Sequence, residues 1–134
     1  IIKNSCIGYS IIPSNIIDEI GIEEATNIAY LESLKKINKK VEIILIDGNL
    51  RKTFKQKVYA FPKGDANYVS IAAASIVAKY KRDNIMINLN HRFSRYNWKS
   101  NKGYGTKEHL LAIKKYGISD LHRKTYEPIK SMIK

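Results

Sequence analysis

Short apolar runs alternate with amphipathic stretches along this chain, and their spacing predicts one α/β domain. Ser5 to Ile11 reads as a short strand closed by Pro13, whose ring removes a ladder donor. From Ser14 to Asn38 the apolar positions Ile17, Ile20, Ala25, Ile28, Leu31 and Leu34 recur close to helical spacing. The acidic first half and basic last half of that stretch suit a helix dipole. Val41 to Ile46 is a largely β-branched run ended by Asp47-Gly48-Asn49, the pattern of a buried strand. Val58 to Phe61 predicts a second short strand, ended by Pro62. Ser70 to Tyr80, rich in Ala with Ile71, Ile76 and Val77, predicts a helix against which a neighbour packs closely; Lys81 to Phe93 continues it in more polar form. Thr106 is a good N-cap, with Glu108 in the first turn, Lys114 and Lys115 in the last, and Gly117 as the stop.

Composition narrows what such a domain does. The chain has 134 residues, enough for one core and short for a two-domain enzyme. Its 24 Lys and Arg against 12 Asp and Glu leave a net charge of +12, spread over most of the sequence from Lys35 onward. A polyanionic partner is the natural inference, although an Ile, Asn and Lys bias of the genome also contributes to such a balance. Cys6 is the only cysteine, so no internal disulfide forms, no zinc spacing exists, and a cytoplasmic setting is expected. No apolar run approaches the roughly 20 residues of a membrane span; Ile11 to Ile22 is broken by Pro13, Asp18 and Glu19. The sequence opens on Ile1 rather than Met, which leads to the expectation of a preceding segment.

The candidate chemistry lies at three places. Asp47 ends a predicted parallel-type strand, where open α/β sheets place their ligands; Asp-Gly and Gly-Asn are also hairpin residues. Asp65 follows the second strand and the pair Lys63-Gly64, so neighbouring strands would bring both carboxylates to one sheet edge. Hard oxygen ligands of that kind suit Mg²⁺ or Mn²⁺, while Asp65 is equally placed to cap the next helix. The loop from Asn97 to Thr106 mixes cations, amides and aromatics before a helix N-terminus, a composition suited to phosphate and sugar. Within it Tyr104, flanked by Gly103 and Gly105, is the better candidate contact, and Trp98 reads as a half-buried structural aromatic. Lys79, Lys81, Arg82, Arg123 and Lys124 are candidate phosphate contacts. His91, His109 and His122 lack metal-ligand spacing and read as helix-surface or capping residues.

Taken in order, these segments resemble one family, bacterial ribonuclease HII. Val41 to Asn49 is similar to that family's third-carboxylate strand, and Phe61-Pro62-Lys63-Gly64-Asp65 to its fourth. Ser70 to Asp83 resembles the helix that follows, Lys102 to Thr106 the Lys-Gly-Tyr-Gly-Thr substrate loop, and His122 to Pro128 the closing segment. The likeness covers almost the whole chain.

The resemblance implies a ribonuclease H-like mixed sheet flanked by helices, with a catalytic core over about residues 1–95 and a helical, substrate-contacting part over about 96–134. It implies an endonuclease that cuts the RNA strand of RNA–DNA hybrids and nicks 5′ of a ribonucleotide embedded in duplex DNA. Asp47 and Asp65 would hold Mn²⁺ or Mg²⁺, and Tyr104 would pack on the deoxyribose after the ribonucleotide. Lys102, Gly103, Lys79, Arg82 and Arg123 complete the expected substrate contacts, and the complete enzyme is expected to be a monomer. The family's Gly-x-Asp-Glu-x-Gly-Arg-Gly segment, with two more carboxylates, is absent here. The expectation is a chain N-terminally incomplete by two central strands, with apolar faces exposed and little activity alone. Gly21 and Asn101 stand where the family usually has Asn and often has His. The competing expectation is a noncatalytic basic nucleic-acid-binding module, and a structural ribonucleoprotein component would leave Asp47 and Asp65 unexplained.

Overall fold

The computed structural model describes residues 1–49 and 54–133. Strands β1 (Ile43–Asp47) and β2 (Lys57–Phe61) pair in parallel, with Ile43 opposite Lys57 and Asp47 opposite Phe61. Parallel pairing removes the hairpin reading of Asp47-Gly48-Asn49, because a tight two-residue turn joins antiparallel strands only. The expected burial of β1 needs correction. Ile46 is buried, but Ile43 is 56% exposed, so the strand has one covered face rather than two.

Helix α1 spans Ser14–Lys35 and is interrupted at Gly21, whose φ of 80° and ψ of 161° lie outside helical space. Helix α2 runs unbroken from Val69 to Arg92, so the apolar and polar stretches form one element. The close neighbour expected along its Ala-rich half is a second correction. Ile71 is buried, whereas Ala74, Ser75, Ile76 and Ala78 are exposed. The small side chains of Ala74, Ser75 and Ala78 do not fill space; they line an open groove of about 350 Å³, with Ile46 and Asp47 on its wall.

The chain forms two compact units, Ile1–Ile11 with Thr26–Lys79, and Ile12–Ala25 with Tyr80–Lys134. In the first, the predicted strand at Ser5–Ile11 is not one: after a 3₁₀ turn at Ile2–Asn4 the segment has no ladder partner among the described residues. It is extended chain held on α1 by side chains instead. Ser10 Oγ donates to Ala29 O at 2.8 Å, Ser33 Oγ donates to Ser10 Oγ at 3.2 Å, and Lys36 Nζ donates to Tyr9 O at 2.8 Å. Gly8 lies so close to the helix that a Cβ would stand 2.0 Å from Ser33 O.

The second unit has the better-packed core. A 3₁₀ turn at Ser94–Tyr96 and the short helix α3 (Trp98–Asn101) are separated by Asn97 in the left-handed region at φ 50°. That tight path turns Tyr96 and Trp98 inward, where they stack at 5.2 Å and pack with Ile113 and Ile129. Helix α4 (Lys107–Tyr116) starts as expected, with Thr106 Oγ1 accepting from the His109 amide at 3.3 Å, and ends at Gly117, whose amide donates to Ile113 O at 2.9 Å. The last helix, α5 (Ile129–Met132), contributes Ile129 to the same core. No helix among the described residues is long and apolar enough to cross a membrane.

Asp18 ties the start of this unit to its C-terminal segment. Its carboxylate accepts from the Lys124 amide at 2.7 Å, the Thr125 amide at 3.0 Å and Thr125 Oγ1 at 2.6 Å. Desolvation alone would raise its pKa, but these bonds and the Lys124 charge outweigh it and hold the carboxyl below the usual range. A depressed folded pKa stabilises fully above the unfolded value, about pH 4, and the contribution is lost as pH falls below it. Asp18→Asn is expected to cost about 1 kcal/mol near neutrality, the site being solvated, and to flatten the acid limb below about pH 4. Urea unfolding across that range measures both effects.

Candidate active site and nucleic-acid interface

The two strand ends build a carboxylate corner in the first unit. Asp47 is the last residue of β1, and Gly48 N–H donates to Phe61 O at 2.9 Å, which keeps the ends of β1 and β2 level. After Phe61 the chain turns through Pro62 and Lys63, the latter at φ 57°, into a 3₁₀ turn at Gly64–Ala66. The turn aims the Gly64 amide at Asp47, donating to Oδ1 at 2.7 Å. The fit is tight, because a Cβ on Gly64 would stand 2.7 Å from Ile71 Cδ1 and 3.2 Å from Phe61 Cβ, so a larger residue requires the Ile71 side chain to shift. Asp65 is therefore the residue next to one bonded to Asp47. It makes no cap for α2, which begins at Val69, so the capping alternative does not hold. Asp47 and Asp65 are both exposed. Tyr30, which the sequence did not suggest, also senses this corner: burial and the Asp47 charge push its phenol up.

Two carboxylates do not make a closed metal cage, and among the described residues no three His, Cys, Asp or Glu side chains gather to form one. The donor set fits a different arrangement. Mg²⁺ keeps several waters and is commonly held by one or two carboxylates together with substrate phosphates. Asp47 Oδ2 and the Asp65 carboxylate are hard donors of that type, while Asp47 Oδ1 is engaged by the Gly64 amide.

The second unit presents Tyr104. The residue is 55% exposed and its ring lies over the Arg82 guanidinium at 4.7 Å, so a cation from α2 backs an exposed aromatic side chain. Lys102 and Gly103 precede it at φ 51° and 78°; the Lys102 ammonium donates to Lys99 O, and Gly103 N–H donates to Asn101 Oδ1 at 2.9 Å. A Cβ on Gly103 would stand 2.9 Å from Met86 Cε and 3.7 Å from Arg82 Nη2. Gly103→Ala is expected to cost about 1–2 kcal/mol, mostly from the positive φ because Met86 is flexible, and to weaken hybrid binding by displacing Tyr104. Thermal unfolding and fluorescence anisotropy give the two readings.

The remaining candidates are spread over both units. Lys79, exposed on α2, belongs with Asp47 and Asp65 in the first unit; Lys102, Gly103, Tyr104, Arg82 and Arg123 belong to the second. Arg123 is exposed and its guanidinium stacks on Tyr126 at 4.3 Å. Trp98 is a core residue at 2% exposure, not a half-buried one. The histidines need the largest correction. His91 is exposed at the end of α2, as expected, but His109 and His122 are buried and face each other, Nε2 to Nε2, at 3.3 Å. Burial by Tyr96 and Trp98 decides their environment, and no local spacing announces it.

The chain is an α/β protein of net charge +12 with strand-end carboxylates in one unit and a cation-backed tyrosine in the other. The family model of ribonuclease HII matches residues 2–128, and the chain belongs to that family. It is a family of ribonucleases that act on RNA–DNA hybrids and depend on divalent metal. The small parallel sheet with its helices is consistent with a ribonuclease H-like fold.

Proposed function

We propose that this chain supplies half of the carboxylates, and the tyrosine loop, of an endonuclease. The enzyme cuts the RNA strand of RNA–DNA hybrids and nicks 5′ of a ribonucleotide embedded in duplex DNA. The observation that carries the reading is the 2.7 Å bond from Gly64 N–H to Asp47 Oδ1, which sets two carboxylate-bearing turns side by side at one sheet edge. Asp47 and Asp65 would hold a divalent ion, Mn²⁺ or Mg²⁺, which when bound would supply activation of water and stabilisation of the leaving oxygen of a phosphodiester. With that chemistry supplied, no nucleophilic side chain is needed beside them. Tyr104 packs on the deoxyribose following the ribonucleotide, while Lys102, Gly103, Lys79, Arg82 and Arg123 contact the backbone. The working enzyme is a cytoplasmic monomer, and its site needs two further carboxylates of the kind the family carries in its Gly-x-Asp-Glu-x-Gly-Arg-Gly segment, which these 134 residues do not contain.

The test is metal-dependent nicking of duplex DNA carrying one ribonucleotide. Residues 1–134 alone are expected to cut at least about 100-fold more slowly than a form extended by that segment, a difference of about 3 kcal/mol in barrier. Equal rates would refute the need for the additional carboxylates. The net charge of +12 also suits a second reading, a noncatalytic basic module. That module would bind hybrids with a steep salt dependence and no metal dependence, and the extended form would not cut.

A further inference from the structure

His109 and His122 play no part in the contacts just assigned, yet their hydrogen bonds lead directly to Tyr104. Trp98 Nε1–H donates to His109 Nε2 at 3.1 Å, and the Ser119 amide donates to His122 Nδ1 at 3.0 Å. An indole N–H and a backbone N–H only donate, so each of these two ring nitrogens carries a lone pair. In neutral rings the other nitrogen then holds the proton. His109 Nδ1–H therefore points at the Tyr104 carbonyl, 2.9 Å away, and His122 Nε2–H points at His109 Nε2, 3.3 Å away. Ser119 Oγ, 2.9 Å from His122 Nδ1, adds a second donor there and accepts from the Leu121 amide at 3.3 Å. Every ring nitrogen is satisfied in this one pair of tautomers.

A proton added to these acceptor nitrogens meets donors. On His109 Nε2 it would face the N–H groups of Trp98 and His122, and on His122 Nδ1 it would face the Ser119 amide, leaving only Ser119 Oγ, which already accepts from Leu121, to receive it. Tyr96 lies edge-on to both rings at 6.2 and 5.0 Å, with its hydroxyl donating to Gly117 O. Among the described residues no carboxylate is hydrogen-bonded to either ring to hold a positive charge; the groups facing them are Tyr96, Trp98, Ser119, the Tyr104 carbonyl and each other. Desolvation, followed by the other imidazole, pushes His122 down.

We propose that buried His122 and His109 form a hydrogen-bonded relay that fixes the Tyr104 carbonyl and so positions the Tyr104 loop for nucleic acid, and that acid, by charging His122, releases the loop. The functional half of this rests on the reading of Tyr104 as a substrate contact. A His whose folded pKa is depressed contributes fully above its unfolded value of about 6.5, and its contribution falls away as pH drops below that. The relay thus opposes ordinary electrostatics, under which a protein gaining positive charge in acid binds a polyanion more tightly.

Two measurements on the full chain decide the matter. The first is ¹⁵N–¹H correlation of the imidazoles near neutral pH. His109 is expected as the Nδ1–H tautomer and His122 as the Nε2–H tautomer, and the reverse assignment for either overturns the relay without any nucleic acid present. The second is binding of a short RNA–DNA hybrid without metal, from about pH 7.5 to about pH 5.5. Wild-type affinity is expected to fall about fivefold while the chain stays folded, and Tyr104→Ala is expected to lose most of that step. Affinity that rises steadily in acid, or a step of equal size in Tyr104→Ala, overturns the coupling to Tyr104. If Tyr104→Ala binds like wild type at neutral pH, the substrate reading of Tyr104 fails, and the tautomers still judge the relay.

Discussion

Asp47→Asn in the N-terminally extended nuclease is expected to lower cleavage of a ribonucleotide-containing duplex by at least about 100-fold, equivalent to about 3 kcal/mol of transition-state stabilisation. The substitution is informative because it separates charge from shape. An Asn side chain keeps an oxygen where Asp47 Oδ1 accepts the Gly64 amide, so the turn carrying Asp65 stays in place. What disappears is the negative charge at the exposed end of β1. Hybrid binding measured without metal should be unchanged or slightly tighter, because a carboxylate near phosphate repels it. Asp47→Ala removes the oxygen as well and should add a loss of stability of about 1 kcal/mol. Unimpaired cleavage by Asp47→Asn would sink the assignment of this residue.

The largest expected effect on folding belongs to Trp98→Ala. Trp98 and Tyr96 are the largest fully buried side chains described, and Trp98 touches Tyr96, Phe93, His109 and His122. Truncation leaves a cavity and strips His109 Nε2 of its indole donor. The cost is expected at about 3–5 kcal/mol, a large share of the 5–15 kcal/mol typical of a whole domain. Trp98→Phe should cost clearly less, since it keeps much of the ring volume and loses mainly the hydrogen bond. Guanidinium unfolding of the three forms orders them, and equal midpoints for Trp98→Ala and wild type would contradict the described core.

What the sequence made legible was local. Thr106 and Gly117 bound α4 as expected because a cap and a left-handed stop are set by adjacent residues. The strands at Ile43–Asp47 and Lys57–Phe61 follow from β-branched and aromatic runs punctuated by Gly and Pro. Ser5–Ile11 failed as a strand because a strand exists only with a ladder partner, and composition does not supply one. The close packing expected along α2 failed for a related reason: small side chains permit a close approach without causing it. Asp47 and Asp65 were legible as candidates, but the Gly64 bond that links their turns is a tertiary contact across 17 residues. The histidine pair is 13 residues apart, and its burial depends on how Tyr96 and Trp98 are turned inward by the left-handed Asn97. No periodicity in the sequence carries that information.

Trp98 is also the only tryptophan in the chain, and it sits wholly within the second compact unit. Its emission is therefore an intrinsic reporter for that unit, while far-ultraviolet dichroism averages over the helices of both. Recording the two signals through one denaturation series asks directly whether the carboxylate-bearing unit and the tyrosine-bearing unit melt as a single cooperative transition. Coincident curves would make them one thermodynamic object; separated curves would give each its own midpoint, with no label added to the protein.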